Sequence, residues 1–124
     1  MKLEYLENGS EDCPLIRLYE FSSADIQKLR AAVMRLIDGS VSRFKLKDIV
    51  PVTSIGGVEL AFVRGNSDRG VVGVGKNGFE VVLASEGWDR VFDCLEPFLE
   101  PSSGYQWLCE KGAANLLLSH DGSW

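Results

Sequence analysis

At 124 residues the chain is about one domain long, sufficient for a single core and too short for two independent ones, so one globular domain over residues 1–124 is expected. Hydrophobic residues at 45% and charged residues at 25% exclude a disordered chain, and no apolar run approaches the roughly 18 residues of a helical membrane span. Thirteen Lys and Arg against 18 Asp and Glu give a formal net charge of -5, which argues against a general nucleic-acid binder, because such affinity rests on cations displacing counterions from phosphates.

The opening MKLEYLENGSEDC lacks the basic and apolar regions of a signal peptide, and the expectation is a cytoplasmic protein without membrane association. Residues 2–6 and 15–21 alternate as strands around the polar stretch NGSEDCP and read as an antiparallel pair. The period then changes. Ile26, Leu29, Val33, Leu36 and Ile37 form a stripe about 100° wide, which predicts an amphipathic helix over about 22–38. Ser22 and Asp25 supply a capping pattern at its start, and Gly39 a stop.

FKLK, around Phe44 and Leu46, reads as a short strand with Lys45 and Lys47 facing water, interrupted by Pro51. VELAFVR, residues 58–64, is apolar on both faces and reads as an interior strand, followed by the loop GNSDRG. SEGWDRVFDCLEPFLEP predicts a second amphipathic helix over about 86–99, with Ser85 as its cap and Pro97 ending or kinking it. Trp88, Val91, Phe92, Leu95 and Leu99 share its apolar face. YQWLC and NLLLS are strands joined by EKGAA, and the Asp-Gly of HDGSW marks a further turn. The predicted fold is α+β, a mostly antiparallel, curved sheet with two helices.

GVVGVGKN, Gly70 to Asn77, is one residue short of the phosphate-binding pattern G-x-x-x-x-G-K-[ST], and Gly73, Gly75 and Gly78 also fit G-x-G-x-x-G. Both motifs need a helix immediately afterwards, so that its N-terminal N–H groups converge on the phosphates. Here Asn77-Gly78 lies between two β-rich runs, the sequence of a two-residue hairpin turn. That turn would pair Lys76 with Phe79, Val74 with Val81 and Val72 with Leu83, placing the valines on the core face. Nucleotide binding is accordingly disfavoured, and no cofactor is expected. Gly73 and Gly75 would then join Val82 and Ala84 on a face of small residues suited to helix packing or sheet twist, with a binding groove as the alternative.

The remaining candidate chemistry is sparse. Cys13, Cys94 and Cys109 are odd in number without C-x-x-C spacing and read as reduced thiols. His120 is the sole histidine, so a multi-histidine metal site is excluded, and a Cys109–His120 nucleophile pair lacks any local signature. Asp89, Asp93, Glu96 and Glu100 read as a solvated helix face, and the basic stretch from Lys28 to Lys47 as a solvated surface, with an acidic partner as the alternative. No catalytic, cofactor or metal residue is assigned. Tyr105 and Trp107, together with Asp68 and Arg69 of the GNSDRG loop, are the candidate partner-binding residues.

Three functional classes follow. The first is a non-catalytic interaction module that binds and masks another protein, as inhibitor and immunity-type proteins do. The second is a small-ligand-binding domain or enzyme with a pocket beside the Gly73/Gly75 hairpin. The third is nucleotide binding through residues 70–77.

Overall fold

A computed structural model describes residues 1–100 and 103–124. Strands β1 (Lys2–Leu6) and β2 (Leu15–Tyr19) form the expected antiparallel pair, from Lys2 opposite Tyr19 to Leu6 opposite Leu15. Helix α1 (Ser23–Ile37) starts at a complete capping box. The Ser22 hydroxyl accepts from the Asp25 N–H at 3.1 Å, and the Asp25 carboxylate accepts from the Ser22 N–H at 3.2 Å. Its buried stripe is Ile26, Leu29, Ala32, Val33 and Leu36, and Gly39 follows its end at φ +79°.

Strand β3 (Arg43–Lys45) is shorter than FKLK suggests, because Leu46–Asp48 coils into a single 3₁₀ turn that sends Leu46 into the core. Lys45 and Lys47 are exposed, as expected. A three-residue strand, β4 (Thr53–Ile55), then pairs in parallel with β1. Strand β5 (Glu59–Arg64) is interior, with β3 on one side and β7 (Gly78–Leu83) on the other. Strand β6 (Gly70–Val74) lies beyond β7 at the sheet edge.

The β6–β7 hairpin exists, but its register differs from the sequence expectation. Val71 faces Val81, Gly73 faces Phe79 and Val74 faces Gly78, around a three-residue turn Gly75–Asn77. Neither Asn77 nor Gly78 adopts the positive φ that the expected two-residue turn demands at both centres. Gly75 does, at +63°. This odd-numbered shift turns β6 over, so that Val71 is buried and Val74 exposed. The cause is tertiary. The Val71 N–H donates to the Lys111 carbonyl at 2.9 Å, and the Ala113 N–H donates to the Val71 carbonyl at 2.7 Å, tying β6 to a loop some 40 residues later. A face of small residues around Gly73 and Gly75 does not form: a Cβ on either would meet nothing within 4 Å. Close approach occurs at Gly70, where a Cβ would run into the backbone of Lys111.

Helix α2 (Ser85–Leu95) continues into a 3₁₀ turn, Glu96–Leu99, that contains Pro97, so the predicted span 86–99 covers both. Its first residue is not a side-chain cap. The Ser85 hydroxyl donates instead to the Ile37 carbonyl at 3.0 Å, fastening the end of α1 to the start of α2. Strands β8 (Tyr105–Cys109) and β9 (Asn115–Ser119) form the predicted antiparallel pair, with a register shift between Trp107 and Cys109.

The class is therefore α+β, with two helices and nine strands among the described residues, but the sheet expectation needs correcting. There are two sheets, ordered β4-β1-β2-β9-β8 and β3-β5-β7-β6, hereafter the five-stranded and four-stranded sheets. Each is mixed rather than mostly antiparallel, and neither is clearly curved. The parallel pairs β1–β4, β2–β9 and β5–β7 arise where chain segments distant in sequence meet. One apolar cluster draws on both sheets and both helices, including Leu3, Leu18, Leu29, Val33, Phe62 and Trp88. Trp88 stacks on Phe62 at 5.0 Å and donates its indole N–H to the Val63 carbonyl at 3.0 Å, so its polar atom is satisfied within the core. Among the described residues no helix is long and apolar enough to cross a membrane.

Candidate interaction face

The five-stranded sheet turns Leu3, Ile16, Leu18, Leu116 and Leu118 to the core, so alternation sends the intervening residues to its other face. The pairing there sets Glu4, Arg17, Leu117 and Trp107 in one row, and Lys2, Tyr19, Ser119 and Tyr105 in the next. Arg17 anchors the centre. Its Nη2 pairs with Glu4 at 2.6 Å, its Nη1 donates to the Gly122 carbonyl at 2.7 Å, and its guanidinium lies 4.5 Å from the Tyr19 ring centroid.

Arg17 and Ser119 hold the C-terminal residues across this face. Fully buried Ser119 donates its hydroxyl to the Ser123 carbonyl at 2.6 Å and accepts from the Gly122 N–H at 3.0 Å. Trp124 reaches the β1–β2 loop, its indole N–H donating to the Asp12 carboxylate at 3.0 Å. Leu15 and Leu117, although on the face away from the main core, are fully buried. The Ser123 hydroxyl and N–H both donate to Asp121, and these bonds hold its carboxyl below the usual carboxylate range.

Alongside the exposed Lys2–Glu20 ion pair, this face leaves several large apolar and aromatic side chains open. The large hydrophobic side chains exposed among the described residues are Met34, Ile55, Val74, Tyr105 and Trp124, and three of these belong to this face: Ile55 at 40%, Tyr105 at 50% and Trp124 at 37%. Tyr105 meets Trp107 edge-on, with ring centroids 6.3 Å apart, on the edge strand β8. Glu7, Glu11 and Asp12 lie on the adjoining β1–β2 loop, which the Asn115 side chain joins by donating to the Asp12 carbonyl at 3.0 Å.

The other candidates are dispersed. Asp68 and Arg69 are not beside the aromatic pair. Asp68 accepts from the Ala84 N–H at 2.8 Å, at the start of α2, while Arg69 is exposed. Three of the six cations of the basic stretch are engaged within the molecule: Arg30 lies over the Phe92 ring at 3.8 Å, Arg43 pairs with Glu80 and Lys47 with Glu59. Cys109 is buried, which raises its thiol pKa, and it donates to the Lys111 carbonyl at 3.7 Å, whereas His120 packs edge-on against Phe21. Lys76 sits in the hairpin turn and is followed by a strand. No three His, Cys, Asp or Glu side chains among the described residues come together to hold a metal ion.

The sequence reading missed the Glu4–Arg17 pair, whose signal was an arginine at the centre of LIRLY, and the part played by the C-terminal residues. Compared with protein-family models, with curated proteins and with solved structures, the chain matches none.

Proposed function

We propose that the chain is a non-catalytic cytoplasmic module that binds and masks another protein through the outer face of its five-stranded sheet. The observation that carries this reading is that three of the five large hydrophobic side chains exposed among the described residues, Tyr105, Trp124 and Ile55, belong to the outer face of this one sheet, with Trp107 packed beside Tyr105 on its edge strand. Tyr and Trp are the side chains most often found at the energetic centre of interfaces. The formal net charge of -5 and the acids of the β1–β2 loop favour a partner with a basic surface, attracted over a distance set by ionic strength.

The test is capture of the partner from lysate of the source cells on immobilised protein, in parallel with Tyr105→Ala/Trp107→Ala. The reading expects one basic protein retained near stoichiometry in moderate salt and lost by the double variant, whose thermal midpoint stays close to the parent's. Retention of the same protein by both forms, or of nothing at low and moderate salt, would sink it.

A further inference from the structure

Four strands stand at the edges of the two sheets, β4 and β8 in one, β3 and β6 in the other. An edge strand presents unpaired N–H and carbonyl groups, and proteins guard such strands by shortness, charge or cover. Three of the four are guarded in these ways. Strand β4 is three residues long, β3 is equally short and carries exposed Arg43 and Lys45, and β6 has the N–H and carbonyl of Val71 taken by Lys111 and Ala113. Strand β8 differs: its five residues, Tyr105–Cys109, hold no charge and no proline, and its register shift comes only after Trp107.

The ladder fixes which main-chain groups this edge offers. The Gly104 carbonyl accepts from the His120 N–H at 3.0 Å, one place before Tyr105 opposite Ser119. Bonded and non-bonded pairs alternate along an antiparallel ladder, so Gly104 and Gln106 bond toward β9, while Tyr105 and Trp107 turn both N–H and carbonyl away from it. No other backbone hydrogen bond among the described residues reaches these two. Their side chains lie on the outer face, where the rings meet edge-on. A strand laid antiparallel along β8 would pair with both N–H and both carbonyl groups and set two of its own side chains beside the rings.

Charge selects the occupant. A second copy of the chain would bring a further net charge of -5 to this edge, and the uncharged strand has nothing to offset that repulsion, whereas a segment bearing Lys or Arg is attracted. Resting on the reading of this face as a site for a basic protein, we infer that the partner engages it by strand addition. An extended segment of the partner, with β-branched or aromatic residues opposite Tyr105 and Trp107 and Lys or Arg at its flanks, adds to β8 and lengthens the five-stranded sheet.

The test follows amide hydrogen exchange of the full chain by NMR, with the terminally blocked peptide Lys-Thr-Val-Thr-Val-Thr-Lys as probe at millimolar concentration. In the free protein the Tyr105 and Trp107 amides should exchange about tenfold or more faster than that of Gln106, which is bonded to β9. Near saturation with peptide both should slow by about tenfold while Gln106 stays as it was. N-methylation of the two valines, whose N–H groups would point at β8, should abolish binding, and N-methylation of the threonines preceding them should leave it within about threefold. Equal loss with either methylation pattern, no protection of Tyr105 and Trp107 by the peptide, or amides already slow in dilute free protein would overturn strand addition. So would protection that grows with protein concentration in the absence of peptide, the mark of a second copy on the edge. The two readings fail separately. A captured partner lost by Tyr105→Ala/Trp107→Ala, with none of these strand signatures, would keep the protein-binding face and remove its strand mode, whereas peptide-dependent protection of β8 with no partner captured would do the reverse.

Discussion

Replacing Asp68 by alanine separates a structural role from a binding role, because the sequence marks it as a partner contact and the fold uses it at the start of α2. Its Oδ1 accepts from the Ala84 N–H at 2.8 Å and lies against the first helical turn, where a Cβ on Gly87 would come within 2.6 Å of it. A hydrogen bond to a charged acceptor contributes roughly 1.5–3 kcal/mol, and a carboxylate at a helix N-terminus adds roughly 0.3–1 kcal/mol. Asp68 is only half-buried, so we expect Asp68→Ala to cost about 2 kcal/mol, and Asp68→Asn, which keeps an acceptor and loses the charge, less than about 1 kcal/mol. In urea titrations with an m-value of roughly 2 kcal/mol/M, the alanine midpoint falls by about 1 M at unchanged m, and partner capture survives. A midpoint within about 0.2 M of the parent's would refute the capping role. Loss of capture without loss of stability would return Asp68 to the interface.

Gly70→Ala would place a Cβ in the Lys111 backbone at φ +79°, and we expect a loss of about 3 kcal/mol, whereas Gly73→Ala, open on all sides, should change stability by under about 0.5 kcal/mol. Paired urea melts check the contrast, and equal effects would contradict the register of β6. Cys109, buried and held protonated, should react with a thiol reagent more than about a hundredfold slower than Cys13, until urea equalises the two. Ser119→Ala leaves the buried Gly122 N–H without its acceptor and should cost about 1–2 kcal/mol, with a change in tryptophan fluorescence as Trp124 is released. Parent-like melting and emission would show that the C-terminal residues are held by other contacts.

Legibility from sequence followed the range of the forces involved. Helix α1 was readable because Ser22, Asp25 and the Ile26–Leu36 stripe act within a few turns. Strand β5 was readable because an interior strand is apolar on both sides. The existence of the β6–β7 hairpin was readable, but its register was not, since Val71 takes its orientation from Lys111 and Ala113. Ser85 has the chemistry of a cap, and only the approach of Ile37 diverts its hydroxyl. Strand β4 is three residues long and owes its conformation to pairing with β1. For the candidate face, Tyr105 and Trp107 could be placed on a strand from sequence. Which side of that strand stays open depends on α2 and on the C-terminal residues, contacts no local window contains.

The parallel pairing of β2 with β9 also governs when the molecule can come together during synthesis. Leu15 lies beside Asn115 and Leu18 beside Leu118, so one edge of β2 has no neighbour until about 100 further residues have been translated. The β1–β2 hairpin and α1 can form early from nearby segments, but the ladder that joins them to β9 requires closure of a loop spanning most of the chain. Throughout elongation Leu15, Ile16 and Leu18 present an unpaired apolar edge, a template for mispairing with other nascent strands. The five-stranded sheet, and with it the aromatic face, is therefore completed only after residues 115–118 leave the ribosome.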